Sequence, residues 1–343
     1  MFGKMMNNYY YGKSGKGDFR KDDLPTTRWQ LFWDTLKTRL SGLVRLNLMY
    51  FVVWIPTVIV LFLAITRMYT FIMPAVQETV DEKGSTVYSV ITNENGEPIY
   101  SWEQAGIEAT EVPNVLNSIL LRALLFLVPC IAITGPATAG VSYVTRNWSR
   151  DEHAFIWSDF IDALKANWKL SLPVSLITGL APLIGYMCWT FYGEMAQNQM
   201  IMMVPQVLTV MIVILWALAV TYMHPMIVSY ELGFKGIIKN SFLLGIAKLP
   251  KSVGIRLLHC VPTLIASAVI FVFGVDPMVV LLILAGYYAL FGLSLSRFIT
   301  ASYTNAIFDK YINSRIEGAA VNKGLHVDDD EDEDEETEDG EDN

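Results

Sequence analysis

Residues 115–150 read VLNSILLRALLFLVPCIAITGPATAGVSYVTRNWSR, and the stretch admits two readings that lead to different proteins. Gly135 and Gly140 stand five apart and Ser142 follows two later, close to the G-x-x-x-x-G-K-[ST] cradle that wraps a nucleotide phosphate. The lysine position, however, holds Val141, and no strand pattern precedes the glycine. Ahead of Gly135 lie twenty residues, Val115–Thr134, whose only charge is Arg122. About twenty apolar residues in a helix cover the ~30 Å of hydrocarbon in a bilayer. The stretch therefore reads as a membrane span that leaves the bilayer through small residues, where close helix contact is allowed, with Arg146 and Arg150 just beyond it.

The rest of the chain supports that reading. Of its 343 residues 53% are hydrophobic and 17% charged, whereas soluble domains carry about 25% charged residues. The formal net charge of −9 is concentrated in the run of Asp and Glu from Asp328 to Asp342, so the remainder is near neutral or slightly basic. Such a run cannot bury apolar surface, and residues 321–343 are expected to form a disordered acidic tail. Residues 1–24 form a basic arm with no apolar run behind it until residue 46, unlike a cleaved signal peptide.

Uncharged apolar runs place six spans at 46–66, 115–134, 171–191, 200–222, 257–274 and 277–296 within a membrane domain covering 25–320. Lys and Arg set the orientation, because loops rich in them stay cytoplasmic. The segment up to Arg45 carries nine, the link after span two four, the link after span four five and the C-terminal segment four, against two, none and none in the opposite loops. Both termini are therefore expected in the cytoplasm of a multi-pass plasma-membrane protein. The outer loop 68–114 contains TVYSVITNENGEPIYSW, which alternates around Asn95-Gly96 and predicts a small extracellular β-hairpin.

Internal echoes suggest three helix-hairpin repeats. Val141-Ser142-Tyr143, Val228-Ser229-Tyr230 and Ala301-Ser302-Tyr303 each follow an even-numbered span. FWDTLK (32–37), FIDALK (160–165) and the weaker IIKNSF (237–242) precede the odd-numbered spans, which contain Pro56, Pro182 and Pro262. These precursors read as cytoplasmic amphipathic helices, with Phe160, Leu164 and Trp168 sharing a face. The expected fold class is an all-α membrane protein of six transmembrane helices, with those amphipathic helices and the hairpin added.

Candidate chemistry is sparse. Arg122 is an intramembrane charge, close enough to the outer side to snorkel. His259 beside Cys260 in span five lacks a second ligand at helical spacing, so no metal site follows. His153 and His224 read as ordinary surface and interface residues, and the three cysteines, Cys130, Cys188 and Cys260, as small buried apolar ones. No G-x-S-x-G, H-E-x-x-H or intramembrane carboxylate pair is present, so the expectation is a protein that is not an enzyme and holds no cofactor. Nucleic-acid binding is not expected, since the basic residues are explained by orientation and by anionic membrane lipid.

With Gly135, Pro136, Ala137, Thr138 and Ala139 at a span exit, Arg146 after them, and Phe160, Ala163, Asn167 and Lys169 on the following helix, the chain resembles the YesL-like family of bacterial integral membrane proteins. The segment TRWQLFWDTLKTRLSGLVRLN (27–47) supports the resemblance, which covers roughly residues 25–315. Tyr143 joins these motif residues as an interface anchor. The family is a domain of unknown function, and its members often accompany carbohydrate-uptake and two-component genes. The resemblance thus implies an accessory or regulatory protein linked to carbohydrate uptake, with sugar ABC-transporter subunits or a sensor kinase as partners. A small-solute transporter or channel in its own right is the alternative, motivated by the repeated units with proline-interrupted spans.

Overall fold

The computed structural model describes residues 24–80 and 86–326. Eight main helices follow one another: α1 (Arg28–Ile72), α2 (Val112–Trp148), α3 (Ile156–Asn198), α4 (Met203–Ile227), α5 (Phe234–Ala247), α6 (Leu249–Phe273), α7 (Pro277–Tyr287) and α8 (Leu293–Tyr311). They supply six helical segments long and apolar enough to cross a membrane, α7 and α8 counting as one crossing. Along these segments large apolar side chains face outward, Phe271 at 85% exposure being the extreme. Water would penalise such a surface, whereas hydrocarbon accepts it.

Local signals set several boundaries. Thr27 and Gln30 form a capping box at the start of α1, each side chain meeting the other's backbone N–H. Between α6 and α7 the chain turns within three residues: Gly274 takes the left-handed conformation, and the Asp276 carboxylate accepts from the Met278 and Val279 N–H groups ahead of Pro277.

The tightest pairing joins α2 to α3. A Cβ on Gly135 would lie 2.5 Å from the Ser171 carbonyl oxygen, and one on Gly140 2.7 Å from the Phe160 carbonyl oxygen, so any side chain there would push the helices apart. The main core lies against this seam, with Leu43, Leu46 and Tyr50 of α1, Val144 and Trp148 of α2, and Phe298 of α8 packed together. The Tyr50 and Thr138 hydroxyls share a buried hydrogen bond of 2.7 Å.

Between α7 and α8 the helix widens into a π-helical turn, Tyr288–Gly292. Such a bulge frees backbone groups from the regular ladder. Asn47 of α1, fully buried, takes them up: its amide donates to the Tyr288 and Ala289 carbonyls at 2.9 and 2.7 Å, and its oxygen accepts from Ser294 N–H at 2.8 Å. One buried side chain thus satisfies three backbone groups that hydrocarbon could not.

Several expectations need correction. The amphipathic segments 32–37 and 160–165 are not separate interfacial helices: α1 and α3 run through them into the apolar part, and only in the third case does a break, at Lys248, separate α5 from α6. Trp168 is 48% exposed although Phe160 is buried, because eight residues at about 100° each carry it some 80° around the helix. The strand pairing of the outer loop joins β1 (Val76–Val80) to β2 (Thr86–Val90) in antiparallel register, Gln77 opposite Ser89. Around Asn95-Gly96 there is a tight turn in which Asn93 Oδ1 accepts from the N–H groups of Asn95 and Glu97, and pairing shrinks to the isolated Thr92–Pro98 bridge because proline has no N–H to continue a ladder. Residues 321–326, expected to belong to the acidic tail, pack on the bundle. The cysteines are not core residues either: Cys260 is exposed and the other two are half-buried on the apolar surface. The basic arm to residue 23 and the acidic run beyond 326 lie outside the described residues.

Candidate functional site

The end of the bundle that holds both described chain ends is where the polar residues gather. Arg28 on α1 pairs with Asp309 on α8. Asp309 also accepts from the Asn313 amide at 2.6 Å and from Asn322 N–H at 3.2 Å, and His326 N–H donates to the Pro25 carbonyl at 3.1 Å. The Asn313 side-chain oxygen accepts from the Tyr230 hydroxyl at 2.8 Å. Burial pushes the Tyr230 phenol up to about 12, with the Asp309 charge adding to the shift while Arg146 and Arg150 oppose it.

A second group is continuous with the first. The Asn305 amide donates to the Arg146 carbonyl and to the Ser149 hydroxyl. Glu152 lies 3.5 Å from Arg150 and 2.7 Å from Lys323, so the C-terminal segment is fastened by charge as well as by backbone. Arginine outnumbers acid here, and the Nε atom of Arg146 is buried without a hydrogen-bond partner. These side chains hold four separate stretches of chain together and present no nucleophile with an adjacent base.

A cavity of about 580 Å³ opens between α1, α6 and the α7–α8 pair. Apolar side chains such as Val58, Phe62 and Leu284 line most of it, and His259 and Arg297 stand at the end nearer the polar assembly. His259 Nε2 is 3.1 Å from the Ser296 carbonyl and 3.3 Å from the Thr300 hydroxyl. Arg256, one helical turn before His259, has a buried Nε with no partner, and the Nδ1 of buried His224 is likewise alone. Among the described residues, no carboxylate lies within 4.0 Å of Arg256 or Arg297.

The residues singled out from sequence divide between these settings. Gly135 belongs to the α2–α3 seam, with Phe160 beneath Gly140, whereas Thr138 faces Tyr50 of α1 and Pro136 lies inside α2; the Asn167 amide bonds back to the Ala163 carbonyl, and Lys169 is exposed. The phosphate-loop spacing falls in the interior of α2, so its backbone N–H groups are spent on the helix and cannot cradle an anion. Tyr143 and Arg146 border the polar assembly. Arg122 is exposed in the first third of α2 and does not line the cavity, whereas His259 does. Asn47, Asp309, Asn305, Arg256 and Arg297 were not singled out. The two arginines sit one residue outside apolar runs 257–274 and 277–296, a position at which orientation alone explains a positive charge. Among the described residues, no cluster of His, Cys, Asp or Glu could hold a metal.

No curated protein and no solved structure matches the chain. The model of one family does, described as "Protein of unknown function, DUF624", over residues 115–189. That span takes in the α2–α3 seam with its small residues, Arg146 and the Phe160–Lys169 turns, so the similarity falls on the most closely packed helix pair.

Proposed function

We propose that the protein is a non-enzymatic accessory or regulatory component of a membrane, linked to carbohydrate uptake, which works by docking a partner on its polar end. The observation that carries this reading is the way the polar groups of that end are used. Arg28, Asp309, Asn313, Tyr230, Asn305 and Glu152 are spent on bracing one another, which makes a rigid helical platform beyond the apolar segments. On its outside, the first turns of α3 expose Trp157, Asp162, Lys165, Trp168 and Lys169, the mix of aromatic and charged groups typical of a docking surface. The chemistry of the partner follows from the sequence resemblance: a sugar ABC-transporter subunit or a sensor kinase. Affinity purification from native membranes in mild detergent is expected to recover one of these reproducibly, and to lose it in a Trp157→Ala, Lys165→Glu double variant. Failure to recover any such protein with the unaltered chain would sink the reading.

Transport in its own right is the second reading, favoured by the cavity beside the proline-bearing α1 and α6. Liposomes containing the purified protein would then take up one member of a panel of sugars and small anions, and Arg297→Gln would abolish that uptake.

A further inference from the structure

The cavity between α1, α6 and the α7–α8 pair, which the transport reading would give to a small solute, has a shape and charge suited to a different occupant. Its wall on α1 runs from Tyr50 to Ile65, which at 1.5 Å per residue is about 22 Å, longer than one leaflet of the hydrocarbon core. Val58, Leu61, Phe62 and Leu284 make the deep part a trough for hydrocarbon, and α6 meets α4, α5 and α7 rather than closing against α1. At the other end Arg297 enters the lining, and Arg256 lies one helical turn before the lining residue His259.

Arg297 in the lining, and Arg256 one helical turn before the lining residue His259, have no carboxylate within 4.0 Å among the described residues. The buried Arg256 Nε and His224 Nδ1 add unsatisfied polar atoms in the same region. Groups so placed cost free energy until an anion compensates them. A sugar would find almost no hydrogen-bonding partners in the trough, and a free inorganic anion would leave it empty. We propose that the cavity binds one anionic phospholipid, its phosphate at Arg297 and Arg256 and an acyl chain lying along α1 toward Ile65. The head then sits at the bundle end with the excess of Lys and Arg, the side on which anionic lipid is enriched if the Lys and Arg asymmetry sets the orientation.

The proposal does not rest on partner docking, it gives the cavity of the transport reading another occupant, and its test measures neither docking nor uptake. The full-length protein in a mild non-ionic detergent is mixed with equal amounts of phosphatidylglycerol and phosphatidylcholine bearing the same acyl chains, and bound lipid is counted by native mass spectrometry. Retention of phosphatidylglycerol about ten-fold over phosphatidylcholine is expected, the ratio that one charge-assisted contact of ordinary strength carries. Arg297→Gln and Arg256→Gln should each lower the ratio several-fold, and Leu284→Trp, which fills the trough and leaves the charges, should reduce retention of the lipid itself. Equal retention of the two lipids by the unaltered protein overturns the proposal, as does an unchanged ratio in the double arginine variant. Should the arginine variants fail to elute as folded protein, undiminished lipid retention by Leu284→Trp overturns it alone. Displacement of the bound lipid by an equal concentration of glycerol phosphate would identify the ligand as a water-soluble anion and overturn it too.

Discussion

At the scale of single residues, the same substitution should have opposite effects at two glycines. Gly135 faces the Ser171 backbone so closely that a methyl group has no room, and the atom in its way is a carbonyl that cannot rotate aside. Gly135→Ala is expected to destabilise the protein by roughly 1–3 kcal/mol, the cost of overpacking a closed seam. Gly254 in α6 has nothing within 4 Å of the place a Cβ would occupy, so Gly254→Ala should gain up to about 1 kcal/mol from helix propensity. Denaturation midpoints in one detergent would read both, and equal shifts would contradict the packing described for α2 and α3. Tyr230 gives a second test at this scale. Its folded pKa of about 12 lies above the ordinary tyrosine value of ~10. The folded state therefore holds this proton more tightly, so the contribution is complete below pH ~10 and is lost as pH rises towards 12. The fall in midpoint over that interval should be smaller in Tyr230→Phe.

Asp309 is the clearest case at the scale of elements, because one carboxylate ties α1, α8 and the segment after α8 together. Asp309→Ala removes the acceptor of the Asn313 amide and the Asn322 N–H and leaves Arg28 only its longer bonds to Asn322 Oδ1 and the Lys323 carbonyl, at 3.4 and 3.5 Å. The expected cost is on the order of 2 kcal/mol, below the 3–5 of a wholly buried pair because Arg28 keeps some contact with water. The segment 316–326 should then be cut faster in limited proteolysis while the spans stay intact. Unchanged cleavage would mean that Glu152 and Lys323 suffice to hold it. The π-helical turn and Asn47 make a related point about local signals. YALFG has no breaker that announces a bulge, and Asn47 looks like an ordinary polar residue at the start of an apolar run. The two explain each other only when α1 and α8 are side by side.

For the whole molecule, the orientation is the property open to direct test. The Lys and Arg asymmetry expects Asn95 outside and Ser314 inside, and both are exposed in the structure. In a chain with Cys130, Cys188 and Cys260 replaced by serine, Asn95→Cys should react with a membrane-impermeant maleimide on intact cells, and Ser314→Cys only after permeabilisation. The opposite pattern would reverse the sidedness. The six apolar segments, the tight α6–α7 turn and the small-residue exit of α2 were legible from the chain alone, because hydrocarbon imposes a length and a composition on each segment independently of its neighbours. The continuity of α1 and α3 was not, since an amphipathic pattern reads the same whether its helix lies on a membrane or runs on into a span. The ten residues singled out from sequence included one lining the cavity, His259, and two bordering the polar assembly, Tyr143 and Arg146. Asp309, Asn305, Arg256 and Arg297 escaped notice because each is unremarkable in its own segment. By itself, then, the sequence determined six helical segments long and apolar enough to cross a membrane, and where helices can pack closely. Only the tertiary structure decided that Arg28 meets Asp309 across 281 residues, and that Arg297 lines a cavity with no carboxylate within 4.0 Å among the described residues. Composition and periodicity act along the chain, whereas ion pairing and desolvation depend on which segments end up touching.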